Sequence, residues 1–294
     1  MILIDKTYEH FALKPDTKPF AFADSGDIAR FECKDCYADL LTTDNMDYAD
    51  MKRDHSNPVS GPLYVNGANP GDVLKVEIIN IEMADFTSMS VRPGVGIYDV
   101  EGSHCRRFPI ENGVVKFDGG IEIPIKPMVG VMGTSPEKEA VSTESPGEHG
   151  GNMDMRELGM GSVVYFPVNV PGALLSMGDI HAVQGDGETA ICAMEVSGAV
   201  TVKVEVIKTD KYIPTPFIVT DRAYYTTAAA KSLDDCSVAA AKKMQRFIME
   251  QMNFSDAQAA MILSVMGNLR INQVVNPEKG CMMEFPRSVF DWKA

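Results

Sequence analysis

Val200, Val202, Val204 and Val206 alternate with Thr201, Lys203, Glu205 and Ile207. Successive side chains of an extended chain point to opposite faces, so this stretch predicts a half-buried strand with valine on its inner side. Leu74, Val76 and Ile78 alternate with Lys75 and Glu77 in the same way. Gly-Asp pairs at 26–27, 71–72 and 178–179 each precede an apolar segment. They read as turns feeding strands, because Gly frees the backbone and Asp can bond its own turn. Short strands at this spacing predict a mainly β protein, its body a sandwich or barrel.

After residue 208 the period changes. Ser232 looks like a helix start, and Val238, Ala241, Met244 and Ile248 follow at helical spacing. Ser255 and Gln258 have the capping-box form, with Met261, Ile262, Val265 and Leu269 predicted as the apolar face of a second helix. Ile271 to Val275 and Met282 to Phe285 read as closing strands. The expected organisation is therefore a β-rich body over 1–208, carrying the site, and a smaller C-terminal α+β unit over 209–294 with two helices and flanking strands.

Composition narrows the function. Among 294 residues, 41 Asp and Glu outweigh 27 Lys and Arg, a net charge of −14. Nucleic acid is disfavoured as a partner, because phosphate binding needs a basic field. No apolar stretch approaches the roughly 20 residues of a membrane span. Met1 to Lys6 lacks the basic start and apolar segment of a secretory signal, so a cytoplasmic location is expected. Six scattered cysteines fit reduced thiols better than a disulfide framework.

Candidate chemistry gathers in few places. Thr134 to Gly151 is polar and lacks periodicity, the profile of a functional loop, and it ends in His149-Gly-Gly-Asn-Met-Asp154. If Gly178-Asp-Ile-His181 enters a strand, Asp179 and His181 share a face, and the Gly185-Asp-Gly-Glu188 turn can bring Asp186 or Glu188 beside them. Imidazole with carboxylate suits Zn²⁺ or a similar divalent ion; the alternative is a turn with a hydrogen-bonded histidine. Glu195 lies in an otherwise apolar run, which makes it a buried acid/base or ligand, or else an outward-facing residue of an edge strand. Asp35, between Cys33 and Cys36, reads as a ligand or as a turn-bonding Asp. His10, His55 and His104 lie in polar stretches and default to the surface. No Walker loop, GxGxxG or GxSxG is present.

Four stretches carry a family resemblance: Gly61 to Leu74, Pro146 to Asp154, Val170 to Glu188 and Leu269 to Val275. Together they resemble the acetamidase/formamidase family over about His10 to Phe290, with HGGNMD and GDIHAVQGDGE the most specific motifs. The resemblance implies hydrolysis of small linear amides to carboxylate and ammonia by a mainly β homodimer. Asp35, His149, Asp179, His181 and Glu188 fall on its motif positions. The chain departs from the pattern at Glu148 and over Phe86 to Phe108, including Arg92-Pro-Gly-Val-Gly96. If that segment lines the pocket, the substrate is neither formamide nor acetamide.

The expected mechanism follows. Asp35, His149 and His181 hold a divalent metal, Zn²⁺ or alternatively Ca²⁺, which activates water for attack on a small neutral amide. Glu188 carries the proton to the leaving nitrogen, Asp179 orients His181, and Glu195 is second choice for the acid/base. The alternative from another class is a metal-stabilised β protein that binds a small molecule without turnover. A cysteine amidase using Cys36 is a third, less favoured reading, because no basic partner is placed beside it.

Overall fold

The computed structural model describes residues 1–46, 48–51 and 55–294. Two open sheets face each other. The first has nine strands and runs from Ile2–Ile4 through Ile28–Cys33, Gly198–Ile207, Val73–Met83, Val163–Pro167, Phe217–Val219, Ala223–Ala230 and Lys279–Pro286 to Asn268–Gln273. The second has twelve and centres on Leu175–His181, flanked by Met128–Gly133 and Glu195–Val196 and also joined by Val59–Val65. Of the two body forms expected, the sandwich is the one that forms, since neither sheet closes on itself.

The valine pattern explains the packing. Val200, Val202 and Val204 are fully buried, while Thr201, Lys203 and Glu205 are partly exposed. They join Leu74, Val76, Ile78 and Phe31 of the first sheet against Leu63, Leu175, Met177 and Ile180 of the second. At about 25 cal/mol per Å² of apolar surface, this shared face is the main source of cohesion.

Past residue 208 the strands continue the same nine-stranded sheet, but they back onto a separate core. Helix α1 (Leu233–Met252) is capped by Ser232, whose side chain accepts from the Asp235 N–H. Helix α2 (Asp256–Met266) carries the reciprocal Ser255–Gln258 capping box. Phe217, Tyr224, Phe247, Phe285 and Trp292 fill the space between helices and sheet.

Four local expectations are corrected. Helix α1 buries Cys236, Ala240, Met244, Phe247 and Ile248, and Val238 is 52% exposed: the stripe against the sheet is rotated from the predicted one. Helix α2 buries Ala259 and Leu263, leaves Met261 and Val265 outward, and ends before Leu269, which lies in the Asn268–Gln273 strand. Gly178-Asp179 lies inside the Leu175–His181 strand instead of before it. The 134–151 segment is partly ordered into short strands at Val141–Ser142, Pro146–Gly147 and Gly150–Asn152, the last paired with Met128–Gly133.

Candidate active site

The Leu175–His181 strand is buried at every position. Its pairing with Met128–Gly133 runs regularly at Ile180–Val129 and Gly178–Val131, but Asp179 between them has φ 59°. A left-handed residue other than Gly costs about 1–2 kcal/mol and breaks the alternation of faces. The space opposite is kept by Gly130, where a Cβ would stand 2.5 Å from Asp179 Oδ2 and 2.8 Å from Asp154 Oδ1. Asp154 and Glu188 also have positive φ, 44° and 43°. Three acidic residues are thus held in uncommon backbone conformations around one point.

At that point Asp154, Asp179, His181, Glu188, Glu195 and Cys36 are all buried. His181 Nε2 lies 3.4 Å from Asp179 Oδ2 and 3.2 Å from Glu195 Oε2. Its Nδ1 is 2.8 Å from Gln184 Oε1, and the Gln184 amide nitrogen donates to the Asp154 and Asn272 carbonyls. Gln184 therefore offers only an acceptor, so His181 Nδ1 carries the hydrogen and Nε2 is left to face the carboxylates. The role of orienting His181 from behind, expected of Asp179, falls to Gln184, because Asp179 sits on the Nε2 side.

Other partners fix the acids. Ala193 N–H donates to Glu195 Oε1 at 2.9 Å, Asn276 Nδ2 to Asp154 Oδ2 at 2.6 Å, and Asn57 Nδ2 to Asp179 Oδ2 at 3.4 Å. Glu195 is thus the buried group of its two expectations. Asp179 Oδ1, His181 Nε2, Glu188 Oε2 and Glu195 Oε2 are buried without a hydrogen bond.

Burial, followed by neighbouring acids, shapes the titration. Asp154 is pushed up to about 7 by burial and by Asp179, and Asp179 to about 6 by burial and by Glu195. Burial and Asp154 raise Glu188 well above the usual carboxylate range. For His181, burial opposes the charge, but Glu195 and Asp179 outweigh it and raise the pKa. Burial and Glu195 keep the Cys36 thiol protonated, which argues against a cysteine nucleophile.

Among the described residues, two groups bring three metal-donor atoms within 4.8 Å of one another: Cys36 with Asp179 and Glu195, and Asp154 with His181 and Glu188. Neither includes Asp35 or His149. Asp35 Oδ1 accepts from the Tyr37 and Asp39 N–H groups, the turn-bonding form of its two expectations. His149 packs in its hairpin, where a Cβ on Gly147 would meet the ring at 2.9 Å and one on Gly151 at 2.9 Å, so these glycines make room for the ring. Burial lowers the His149 pKa to about 4. Asp186 turns away to Arg270. His10 is half-buried with its pKa lowered to about 4 by burial and Lys14, correcting the surface expectation, whereas His55 and His104 are exposed.

Above the cluster opens a cleft of about 230 Å³, lined by Cys36, Asn57, Asn152, Cys192 and Asn276 among others. Sequence reasoning missed Asp154, Gln184, Asn57 and Asn276. Asp154 and Gln184 stand within the two most specific motifs; nothing local marks the asparagines.

The profile described as the Acetamidase/Formamidase family matches residues 4–144 and 134–292. A putative formamidase of Schizosaccharomyces pombe is 29% identical, with 68% of this chain and 64% of the relative covered. A formamidase of Methylophilus methylotrophus is 28% identical with the same shares. The chain thus spans just under two thirds of the length of these curated relatives. A crystal structure of acetamidase from Bacillus halodurans superposes with TM-score 0.96 at 38% identity, covering 99% of both chains.

Proposed function

The chain belongs to the acetamidase/formamidase family, and from that premise we propose that it hydrolyses small linear amides to carboxylate and ammonia with the help of a divalent ion. The observation that carries this reading is His181 with Nδ1 locked on Gln184 and Nε2 turned to two carboxylates beneath a small cleft.

The donor set fits a cation. Tetrahedral Zn²⁺ holds its ligands about 2.0–2.2 Å away, which separates them by about 3.3–3.5 Å. Of the spacings around His181 Nε2, 3.4 Å to Asp179 falls inside that range and 3.2 Å to Glu195 lies just below it. His181, from one of the two donor groups, with Asp179 and Glu195, from the other, would hold the ion; His181 Nε2 and Glu195 Oε2 are unbonded, and Asp179 keeps an unbonded Oδ1 beside the Oδ2 that faces His181. Nitrogen in the set favours Zn²⁺, with Ca²⁺ the candidate if oxygen donors dominate. When bound, the ion would polarise the amide carbonyl and make water a better nucleophile.

Asp154 and Glu188 supply proton transfer. Burial raises both, with Asp179 adding to the rise at Asp154 and Asp154 to that at Glu188, so near neutrality the pair keeps one proton. The ionised member takes a proton from the attacking water, and the protonated member gives one to nitrogen, which leaves as ammonia because amide anion is too basic. Asn276 and Asn57 hold the acids in place, and the cleft limits access of water and substrate.

A homodimer and a cytoplasmic location are part of the same proposal. Met261, Val265 and Leu269 expose an apolar face beside the Asn268–Gln273 edge strand, a surface suited to a second copy. All six cysteines are buried thiols, as suits a reducing compartment. No helix among the described residues is long and apolar enough to cross a membrane.

Ammonia release from formamide through butyramide, with protein as purified, chelated and resupplied with Zn²⁺, tests the core of this reading. Turnover lost on chelation and regained with Zn²⁺ is expected. His181→Ala should abolish both metal retention and turnover; a variant that keeps both refutes the arrangement.

A further inference from the structure

Arg92 lines the cleft, and its guanidinium lies 3.9 Å above the Tyr48 ring. Stacking occupies a face of the guanidinium and leaves its edge N–H donors available for a bidentate acceptor. Among the described residues no carboxylate pairs with it, although Arg30, Arg106, Arg156, Arg246, Arg270 and Arg287 each have one. Among the described residues, the only other charged side chain lining the cleft is Glu144, whose Oε1 accepts from the Ser56 N–H at 2.7 Å.

The position is built. Arg92 lies within the Phe86 to Phe108 segment that departs from the family pattern, and Gly96, with φ 71°, seats that segment against the residues following Glu188. A Cβ there would come within 2.8 Å of the Thr189 carbonyl. The Ile97 N–H donates to that same carbonyl at 3.0 Å, and Tyr98 bonds the Thr189 hydroxyl. The segment that carries the guanidinium is therefore tied to the stretch of chain that carries Glu188, one member of the proton-transfer pair.

The cleft is also larger than the smallest amides need. Its roughly 230 Å³ equals about seven to eight times the ~30 Å³ share of a water molecule. Formamide has three heavy atoms and no group for a guanidinium to hold.

We propose that the substrate is a short amide bearing a carboxylate at its other end, a monoamide of a small dicarboxylic acid, and that Arg92 binds that carboxylate. The proposal rests on the amidase reading and narrows its substrate from neutral to anionic. Water oxygen bonds to the amide carbon and the C–N bond breaks with its electron pair on nitrogen. Both water protons end on nitrogen, so the products are the dicarboxylate and ammonium. Arg92 offsets the repulsion between an anionic substrate and the acids below, and a paired guanidinium–carboxylate fork fixes which end faces the cluster.

The experiment compares kcat/KM for malonamate and succinamate against acetamide in the metal-loaded protein, Arg92→Met and Arg92→Lys, with Tm recorded for each. Wild type should favour an anionic monoamide by about tenfold or more, and Arg92→Met should cut that ratio by about 30-fold or more. Arg92→Lys keeps the charge but loses the fork; it should fall between, and it is the variant to read if Arg92→Met lowers Tm. A wild-type ratio near one, or a ratio that neither variant changes, overturns the proposal. Calorimetric binding of succinamate separates the two levels of the argument. No turnover of any amide, with binding still weakened by Arg92→Met, sinks the amidase reading and supports the carboxylate site; equal binding by both proteins sinks the carboxylate site.

Discussion

The Gly198–Ile207 and Leu175–His181 strands lie in opposite sheets and contribute to one core, yet they are built by different rules. The valine strand alternates buried and half-exposed positions over its middle, and each side chain goes where a period of two sends it. The histidine strand is buried throughout and departs from the period at Asp179, whose left-handed backbone turns a carboxylate toward His181 and Asp154. The first strand is optimised for cohesion. The second bears strain, crowded acids and unbonded polar atoms, features that lower stability and persist where the surroundings hold them for a purpose.

Substitutions at the two places should separate these purposes. Glu188→Gln keeps the size of the side chain and removes its titration; kcat should fall about 10²–10⁴-fold with Tm maintained or raised. Gly130→Ala pushes a methyl into Asp179 and Asp154, and a misplacement of this kind should cost about 10²-fold in kcat. Retained activity there would show that the acids need no exact placement. Val202→Ala, on the other strand, should lower unfolding free energy by about 2 kcal/mol in urea titrations and leave turnover per folded molecule unchanged.

A smaller effect tests the histidine buried next to the site. The folded pKa of His149 is lowered from 6.5 to about 4. Between those values the unfolded chain binds a proton that the folded chain does not. Stability is therefore full above the unfolded pKa and declines as pH falls toward the folded one, by an amount on the order of 1 kcal/mol at pH 5. His10 acts in the same direction. Asp154 and Asp179, with raised pKa values, act in the opposite direction, so the check is a comparison: a Tm profile from pH 7 to 5 that is the same in His149→Asn as in wild type would show that the His149 ring is not shielded. The smallest change belongs to the surface: Arg106→Ala removes an exposed pair with Asp118 and should cost less than about 1 kcal/mol.

The same contrast explains what could be read in the chain. Alternating valines and the Ser232 and Ser255 caps are local signals, and they placed a strand and two helix starts correctly. Helix faces were harder. Helix α2 has apolar residues on several sides, so spacing alone does not say that Ala259 and Leu263 go inward while Met261 and Val265 stay out. In the site, Asp179, His181 and Glu188 were visible because one strand and one turn carry them, and Glu195 because its neighbours are apolar. Asp35 and His149 looked equally chemical, but one is spent on backbone N–H groups and the other on packing in a hairpin. Asn57 and Asn276 could not be found, since only the folded chain brings them to Asp179 and Asp154.

The reach of that assembly has a kinetic side. Cys36 and Asn57 come from one end of the chain and Asn276 from the other, and Gly187 pairs with Gln273 to close the far side. Contacts between segments so distant in sequence raise the contact order and slow folding. During synthesis the acids should stay hydrated until the last quarter of the chain has emerged, because Asn276, which donates to Asp154, arrives only then. A ribosome-bound chain truncated before Asn276 should already hold the valine core while its acidic centre remains open to water.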